Sequence, residues 1–337
     1  MKKIFLSIVY FLLAFLFSQI AFAQSTSSSI SLGGDNLSHV AISQENLYPE
    51  GIEYHSDTNN FLLSSVLEGT IYEINQDGNY RPFIQDKRLI STIGIRIDRE
   101  RNRLLVANSD YGVSLKTAQQ TDRKLAAIGI YNLTNGEPIT YVDLGDLRPN
   151  GSHFANDITI DDVGNAYITD SLSPIIYKVD PQGNPSVFLE NERFIGEGFN
   201  LNGIVYHPDG YLIVAKKSEG ALFKVPLDNP ETFSQIKTER TLVGTDGLLL
   251  ADKGNLVAIT NRASDIISNT VFALHSNDNW DSATIIDRYA TGDVYPSTGT
   301  IKENKVYIIY GRLNTLSEPD FTTPIKQFRI QQVGSIE

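Results

Sequence analysis

A short three-residue unit recurs six times along the chain and constrains the fold more than any other feature. The units are Glu50-Gly51-Ile52, Ile93-Gly94-Ile95, Asn156-Asp157-Ile158, Asn202-Gly203-Ile204, Asp246-Gly247-Leu248 and Thr298-Gly299-Thr300. Each unit opens a strand-like segment of apolar or alternating residues, which is followed by a turn and a second apolar run. A repeat of about 40–50 residues with this content is the sequence signature of a β-propeller. The sequence therefore predicts an all-β fold with six blades around a central channel.

The turns and the third strands of the units support this prediction. The turns are rich in Asp, Asn and Gly, as in Asp162-Val163-Gly164-Asn165, and these residue types favour tight turns. The third strands place an aromatic residue between aliphatic ones, as in Ile176-Tyr177-Lys178-Val179. Because the repeat runs on without a linker, we expect one propeller domain over residues 38–337.

The sixth unit has no fourth strand of its own, because little chain remains after Ile330. We expect residues His39 to Ser43, which precede the first unit, to supply this outer strand, close the ring and remove an exposed sheet edge. The alternative is that these residues are disordered. Residues 24–37, which are rich in Ser and Gly, are interpreted as a flexible lead-in.

Residues 1–23 have the pattern of a secretory signal peptide. Lys2 and Lys3 provide a basic start, an apolar run follows, and Ala21-Phe22-Ala23 forms a small-residue cleavage site. We predict cleavage before Gln24 and a periplasmic or secreted protein, with an uncleaved membrane anchor as the alternative. Since the chain contains no cysteine, core burial has to stabilise it in place of disulfides.

The mature chain is acidic. Loss of Lys2 and Lys3 with the leader moves the formal net charge from −12 to −14. This charge argues against nucleic acid and anionic lipid as partners and is compatible with cation binding. We expect a monomer that binds a small-molecule substrate and has no membrane contact after cleavage.

Four of the six units begin with a carboxylate or a carboxamide, at Glu50, Asn156, Asn202 and Asp246. If the units line a common axis, these side chains converge at one mouth of the channel. Two carboxylates and two amide oxygens suit a hard cation, above all Ca²⁺, although another divalent cation is an open alternative. Zinc is disfavoured because there is no cysteine and the histidines show no paired spacing. The alternative is that these residues only cap turns at strand starts.

Other polar side chains are expected at the same mouth, where the second strands end. Asn108, Lys216, Asn261 and Arg312 are candidates for substrate binding at this position. The pair Lys216-Lys217 and Arg312 could hold an anionic or hydroxylated substrate, and could equally be solvated surface.

His153, three residues before Asn156, is a candidate general base. The alternative is a structural hydrogen-bonding role, which is more common for a lone histidine. The sequence contains no nucleophile elbow, P-loop or dinucleotide-binding glycine motif.

The segments around the four polar positions resemble those of a known family. This family comprises the six-bladed calcium propellers of the gluconolactonase, senescence marker protein and luciferin-regenerating enzyme group, which is related to paraoxonases, diisopropylfluorophosphatase and strictosidine synthase-like proteins. The resembling segments are Pro49-Glu50-Gly51-Ile52-Glu53-Tyr54, Phe154-Ala155-Asn156-Asp157-Ile158, Leu201-Asn202-Gly203-Ile204 and Thr245-Asp246-Gly247-Leu248. The resemblance implies that Glu50, Asn156, Asn202 and Asp246 hold a catalytic metal. The full set favours the hydrolases, because the strictosidine synthase branch lacks it.

The chain also departs from the family that it resembles. Gly51 stands where paraoxonases have a second acidic residue for a structural calcium, whereas Asp157 matches a position used in such a site, so a second calcium is left open. The individual substrate-contact residues of gluconolactonases do not transfer cleanly to this chain.

Together these features predict an exported, metal-dependent hydrolase of lactones or related esters. The metal would polarise the carbonyl, and Asp246 would accept a proton from the attacking water. A non-catalytic propeller that binds a ligand or partner is the alternative.

Overall fold

The computed structural model describes residues 29–317 and 325–337. In these ranges β-strands dominate, and the helical elements are short 3-10 helices at Gly145–Leu147, Glu192–Phe194, Pro230–Thr232 and Leu313–Ser317. None of the described helices has the length and apolar character needed to cross a membrane. The signal peptide predicted at residues 1–23 lies outside the described residues.

The strands form six sheets, which we call blades 1 to 6, one for each repeat unit. Two strands precede them, β1 (Ile30–Leu32) and β2 (His39–Ser43). Blade 1 contains β3 (Ile52–His55), β4 (Asn60–Ser64), β5 (Ile71–Ile74) and β6 (Tyr80–Ile84). Blade 2 contains β7 (Ser91–Asp98), β8 (Arg103–Ser109), β9 (Ala126–Asn132) and β10 (Pro138–Asp143). Blade 3 contains β11 (Ala155–Ile160), β12 (Ala166–Asp170), β13 (Ile175–Val179) and β14 (Pro185–Glu190).

The second half of the chain continues this pattern. Blade 4 contains β15 (Leu201–His207), β16 (Tyr211–Lys216), β17 (Ala221–Pro226) and β18 (Ser234–Gln235). Blade 5 contains β19 (Lys237–Thr238), β20 (Thr245–Leu250), β21 (Asn255–Ala263), β22 (Ile266–His275) and β23 (Ser282–Ala290). Blade 6 contains β24 (Pro296–Lys302), β25 (Lys305–Tyr310) and β26 (Gln327–Ile336). The six-bladed all-β propeller predicted from the repeat is confirmed.

The burial of the strands follows their place in a blade. The second strand β12 is buried at every residue, because neighbouring blades cover both of its faces. The outer strand β14 is largely exposed. One apolar cluster joins Leu105 and Ile128 of blade 2 to Ile158 and Ile168 of blade 3. Burial between adjacent blades, rather than a single central core, therefore holds the ring together.

The N-terminal strand closes the ring. β2 pairs antiparallel with β26, with His39 opposite Gln331 and Ser43 opposite Gln327. Val40 and Ile42 point into the core, as the alternation of a half-buried edge strand requires. The prediction that residues 39–43 complete blade 6 is confirmed.

The interpretation of residues 24–37 as a flexible lead-in is wrong for Ile30–Leu32. These residues form β1, which pairs with the end of β26, with Ile30 opposite Ile336. Ile30 and Leu32 are buried in an apolar cluster with Val333. The Ser- and Gly-rich composition around them concealed a short apolar-polar-apolar strand.

The register of blade 6 also differs from the prediction. The N–H of Gly311 donates to the carbonyl of Tyr295 (3.3 Å), just as the N–H of Lys217 donates to that of Asn200 (2.8 Å) in blade 4. Ser297, two residues after Tyr295, therefore occupies the position of Asn202, and Thr298 occupies that of Gly203. The glycine that guided the prediction lies one residue further along in this blade.

Candidate functional site

The four predicted ligand residues line one cavity at the channel mouth. Glu50, Asn156, Asn202 and Asp246 all contribute to its wall, and its volume is about 150 Å³. The last three lie in the innermost strands β11, β15 and β20, and Glu50 lies two residues before Ile52, the first residue of β3. The sequence repeat thus brings all four polar positions to a single place.

A register irregularity lies at each of the three strand positions. The pairing of β11 shifts between Ala155 and Ile158, that of β15 between Leu201 and Ile204, and that of β20 between Thr245 and Gly247. A bulge of this kind re-aims the side chain that it contains. We attribute the inward placement of the polar residues to these bulges.

Glycines let the inner strands approach each other beside the cavity. A Cβ on Gly203 would lie 2.7 Å from the carbonyl oxygen of Asp246 and 2.9 Å from the nitrogen of Leu248. These distances are too short for a side chain, so the residue after Asn202 has to be glycine for the strands to pack this closely.

Three of the four predicted ligands carry a buried oxygen with no donor. Oε2 of Glu50, Oδ1 of Asn156 and Oδ1 of Asn202 accept no hydrogen bond from the residues that the structure describes. The amide nitrogens are engaged instead, since Asn156 Nδ2 donates to Ser171 Oγ (2.8 Å) and Asn202 Nδ2 donates to Asp246 Oδ1 (2.6 Å). An unpaired buried oxygen costs about 1–3 kcal/mol. Three of them in one cavity indicate a place for a cation or a donor.

Asp246 differs from the other three because its oxygens already have partners. Lys217 Nζ donates to Oδ1 at 2.7 Å, beside the bond from Asn202. Asn261 Nδ2 donates to Oδ2 and also to the carbonyl of Pro296, the latter at 2.8 Å. These contacts hold the carboxylate in one orientation.

The charges in the cavity influence one another. Burial raises the pKa of Glu50 well above 4.5, and the nearby carboxylates Asp246 and Asp157 raise it further, against the opposing effect of Lys217. Burial alone would lower the pKa of Lys217, but Asp246, Tyr295 and Glu50 outweigh it and the pKa is raised. Lys217 is therefore an ammonium ion, and the site without another cation keeps an excess of acidic groups.

Asp157 lies next to this cluster, at the position that glycine occupies in blades 1, 2, 4 and 5. Its Oδ1 accepts from the N–H of Ile158 (2.8 Å) and its Oδ2 from that of Ile204 (3.2 Å). Burial raises its pKa to about 6, although Arg96 and these two N–H groups act against the shift. Both oxygens have protein donors, so Asp157 does not resemble the unpaired ligand oxygens.

The remaining wall of the cavity is mostly apolar. The rings of Tyr111 and Phe199 are 4.7 Å apart between centroids, and those of Phe154 and Phe199 are 5.0 Å apart. Other apolar lining residues are Val66, Ile93, Val113, Leu313 and Leu316. A polar floor under apolar walls suits a small molecule that carries one polar group on an apolar body.

Two of the predicted substrate-binding residues are occupied elsewhere. Asn108 accepts from the N–H of Ile90 (2.8 Å) and donates to the carbonyl of Arg88 (2.9 Å), so it fastens a neighbouring loop. Arg312 donates to the carbonyl of Asp293 (3.4 Å). Neither residue is part of the cavity wall.

Lys216 and Asn261 also lie behind the wall. Lys216 Nζ donates to the carbonyls of Arg193 (2.9 Å) and Ile195 (2.7 Å) and to Glu219 (2.6 Å), which uses all three of its protons. Asn261 contacts the site only through Asp246. The residue that sequence reasoning underweighted is Lys217, which lines the cavity. Neighbouring residues of a strand point to opposite faces, so a prediction that is wrong by one residue selects a side chain that points away from the cavity.

His153 does not reach the cavity wall. It is buried, with Nδ1 2.9 Å from Asp170 Oδ2 and Nε2 2.7 Å from the carbonyl oxygen of Arg148. The hydroxyl of Tyr177 lies 3.1 Å from Nδ1. Because both ring nitrogens are engaged, the position of His153 does not support a role as general base and indicates a structural one.

The donor set can be compared with what a metal requires. In the described part of the chain, no three His, Cys, Asp or Glu side chains come together as a metal site. The cavity offers two carboxylates, and its further oxygens come from amides, a donor set that suits Ca²⁺. The unpaired oxygens of Glu50, Asn156 and Asn202 fit such a cation. Lys217, bonded to Asp246, is the feature that fits it least.

Comparison with known proteins shows the fold. No family model matches the sequence, and no curated protein matches it. Among solved structures, the major allergen Mala s 1 of Malassezia sympodialis is 18% identical over 88% of this chain and 95% of its own, with a TM-score of 0.69. A gluconolactonase from Xanthomonas campestris is 12% identical over 92% of this chain and 96% of its own, with a TM-score of 0.59. Luciferin-regenerating enzyme is 13% identical over 88% of this chain and 95% of its own, with a TM-score of 0.59.

These identities are low, so the likeness concerns the fold alone. The chain is a six-bladed propeller similar in structure to a gluconolactonase and to luciferin-regenerating enzyme, which are the groups that the sequence resembles. The predicted resemblance is confirmed at this level.

Proposed function

We propose that this protein is a metal-dependent hydrolase of lactones or related esters that acts in the periplasm or outside the cell. The observation that carries the proposal is the set of unpaired, buried oxygens of Glu50, Asn156 and Asn202 in one cavity with Asp246. The structural likeness to a gluconolactonase supports the same reaction class. The acidic cluster and the oxygen-only donors favour Ca²⁺ as the cofactor.

The residues that would hold the cation are Glu50, Asn156, Asn202 and Asp246. When bound, a divalent cation supplies Lewis-acid activation of a carbonyl and makes a bound water more acidic. Asn261 and Asn202 orient the carboxylate of Asp246, to which we assign the role of accepting the proton of the attacking water. The rings of Tyr111, Phe154 and Phe199 bind the apolar part of the substrate and keep bulk water from the polar floor.

A ligand-binding propeller without catalysis is the second candidate. It is favoured by the ion pair between Lys217 and Asp246, which neutralises the proposed proton acceptor. In that case the apolar walls and the polar floor would retain a small molecule and leave it unchanged.

A substrate screen separates the two candidates. Purified protein is dialysed against a chelator and tested on lactones, aryl esters and phosphotriesters, before and after Ca²⁺ is added back. We expect turnover in at least one class, lost with the chelator and restored by the metal. If metal-loaded protein hydrolyses nothing in the panel, the ligand-binding candidate takes the place of the enzyme.

A further inference from the structure

Lys217 contributes a cationic side chain to the cavity wall. Other blades have an equivalent residue at the same position of the repeat. The backbone N–H of Lys217 donates to the carbonyl of Asn200, as that of Ser171 donates to Phe154 in blade 3 and that of Asn261 to Gly244 in blade 5. Ser171 and Asn261 are neutral, and each makes a hydrogen bond to one of the predicted ligands. In blade 4 the same position carries an ammonium group.

The ammonium group lies where it competes with a bound cation. Nζ of Lys217 is 2.7 Å from Oδ1 of Asp246, and the lysine is only 6% exposed. Glu50 lines the same cavity as Lys217. Inside a protein, where charges are weakly screened, a divalent ion and an ammonium ion on one carboxylate repel each other. A metal that binds Asp246 therefore has to displace Lys217 or accept a weaker site.

Besides the bond to Asp246, the ammonium group has a second contact in the cavity wall. The ring of Tyr295 also lines the cavity, and its centroid is 5.7 Å from Nζ. The face of an aromatic ring attracts an ammonium group. The side chain of Lys217 can therefore leave Asp246 without losing all favourable contacts.

We propose that Lys217 is an internal competitor of the metal. It neutralises Asp246 in the metal-free protein, is displaced when the cation binds, and so keeps the affinity for Ca²⁺ low. This inference rests on the metal site of the proposed function. A weak site is suited to an exported protein, since extracellular calcium modules work with dissociation constants of about 10⁻⁴–10⁻³ M.

The test is Ca²⁺ affinity, measured by calorimetry or by competition with a chromophoric chelator. Lys217→Met removes the ammonium group and keeps most of the length of the side chain. We expect it to bind Ca²⁺ at least about tenfold more tightly than the wild type, because the competing charge is gone. Lys217→Arg keeps the charge and should keep weak binding. Lys253→Met is the matched control, since Lys253 is largely exposed and pairs with Asp209.

A second readout is the melting temperature in chelator. Without Lys217 or metal, Asp246 is left without its cation, so Lys217→Met should melt below the wild type in chelator and rise further when Ca²⁺ is added. If Lys217→Met folds only in Ca²⁺, that result also shows that the variant depends more on the metal than the wild type does. Its Ca²⁺ affinity is then measured by chelator competition.

The outcomes separate the two proposals. If the wild type binds Ca²⁺ and Lys217→Met binds it equally or less tightly, the competitor role is wrong while the metal site stands. If Lys253→Met gains as much Ca²⁺ affinity as Lys217→Met, the gain comes from the change in overall charge, and the competitor role of Lys217 is also wrong. If neither the wild type nor Lys217→Met binds a divalent cation, both proposals fail.

Discussion

Asp246 connects more of the polar groups in the site than the other three proposed ligands do. It lies in a bulged strand, accepts hydrogen bonds from Asn202, Lys217 and Asn261, and shares a cavity with Glu50. These contacts fix the orientation of the carboxylate, and Lys217 has to leave it before Asp246 can bind a cation or accept a proton.

Replacing Asp246 with Asn tests these two roles together. The variant keeps an oxygen but loses the negative charge and the proton acceptor. We expect weaker metal binding and, in assays saturated with metal, a loss of turnover of about a hundredfold or more, as is usual when a general base is lost. Lys253→Met, at a largely exposed lysine that pairs with Asp209, is the control and should retain most of the activity. Full turnover in metal-saturated Asp246→Asn would contradict the assigned role.

His153 provides a pH-dependent prediction at the same scale. Burial would lower its pKa, but the hydrogen bond with Asp170, the carbonyl of Arg148 and the charge of Asp170 outweigh burial and raise it. Because the pKa is higher in the folded state, the imidazolium contributes stability that is fully present below the unfolded pKa of about 6.5 and is lost as the pH rises through the folded pKa.

Urea unfolding of the wild type and of His153→Gln measures this contribution. The difference in unfolding free energy between them should be larger at about pH 5.5 than at about pH 9. A difference that grows toward alkaline pH would show that the neutral ring is the stabilising form. Folded His153→Gln should also keep its hydrolytic activity, and its inactivation would restore the general-base hypothesis.

For the strands, the sequence predicted their locations well but was less accurate about which residue at a strand end points into the cavity. The repeat located the innermost strands and their polar first residues, because bulges and glycines recur at the same place. It misplaced the equivalent residue of blade 6 as Thr298, and it favoured Lys216 over Lys217. Both errors are of one residue. They arise because the direction of a side chain at a strand end depends on bulges and on backbone pairing, which the sequence does not display.

The element that closes the ring gives a stability prediction. Ile42 of β2 is 1% exposed, whereas its neighbour Ala41 is exposed. Ile42→Ala removes buried methyl groups next to β26 and should lower the free energy of unfolding by about 2–5 kcal/mol. Ala41→Ser, on the solvent face of the same strand, should change it by less than about 0.5 kcal/mol. Equal effects of the two variants in urea titrations would mean that the strand does not close the ring in solution.

At the scale of the whole molecule, the propeller is a rigid frame that brings distant parts of the chain together. Glu50 and Asp246 are far apart in the sequence but share one cavity, because each blade returns the chain to the axis. Equivalent repeat positions made this convergence predictable. The ammonium group of Lys217 within the cluster was not, because its contact with Asp246 depends on the relative placement of two blades.

Metal binding should therefore stabilise the entire ring. A cation that bridges blades 1, 3, 4 and 5 binds the folded state and not the unfolded chain. At a Ca²⁺ concentration of about 100 times the dissociation constant, it adds about 2.7 kcal/mol to the free energy of unfolding. Thermal melts in chelator and in excess Ca²⁺ measure the shift, and Mg²⁺ at equal ionic strength controls for screening. Identical melting temperatures in all three conditions would contradict a calcium site between blades.

A calorimetric titration of the chelator-treated protein with Ca²⁺ tests the proposed metal site most directly. We expect one ion to bind per chain. Glu50→Gln, which removes one of the two carboxylates, should weaken binding by at least about tenfold. Ile93→Val, at the equivalent position of blade 2, should bind as the wild type does. Absence of binding, or equal binding by the wild type and Glu50→Gln, would contradict a metal site formed by these residues.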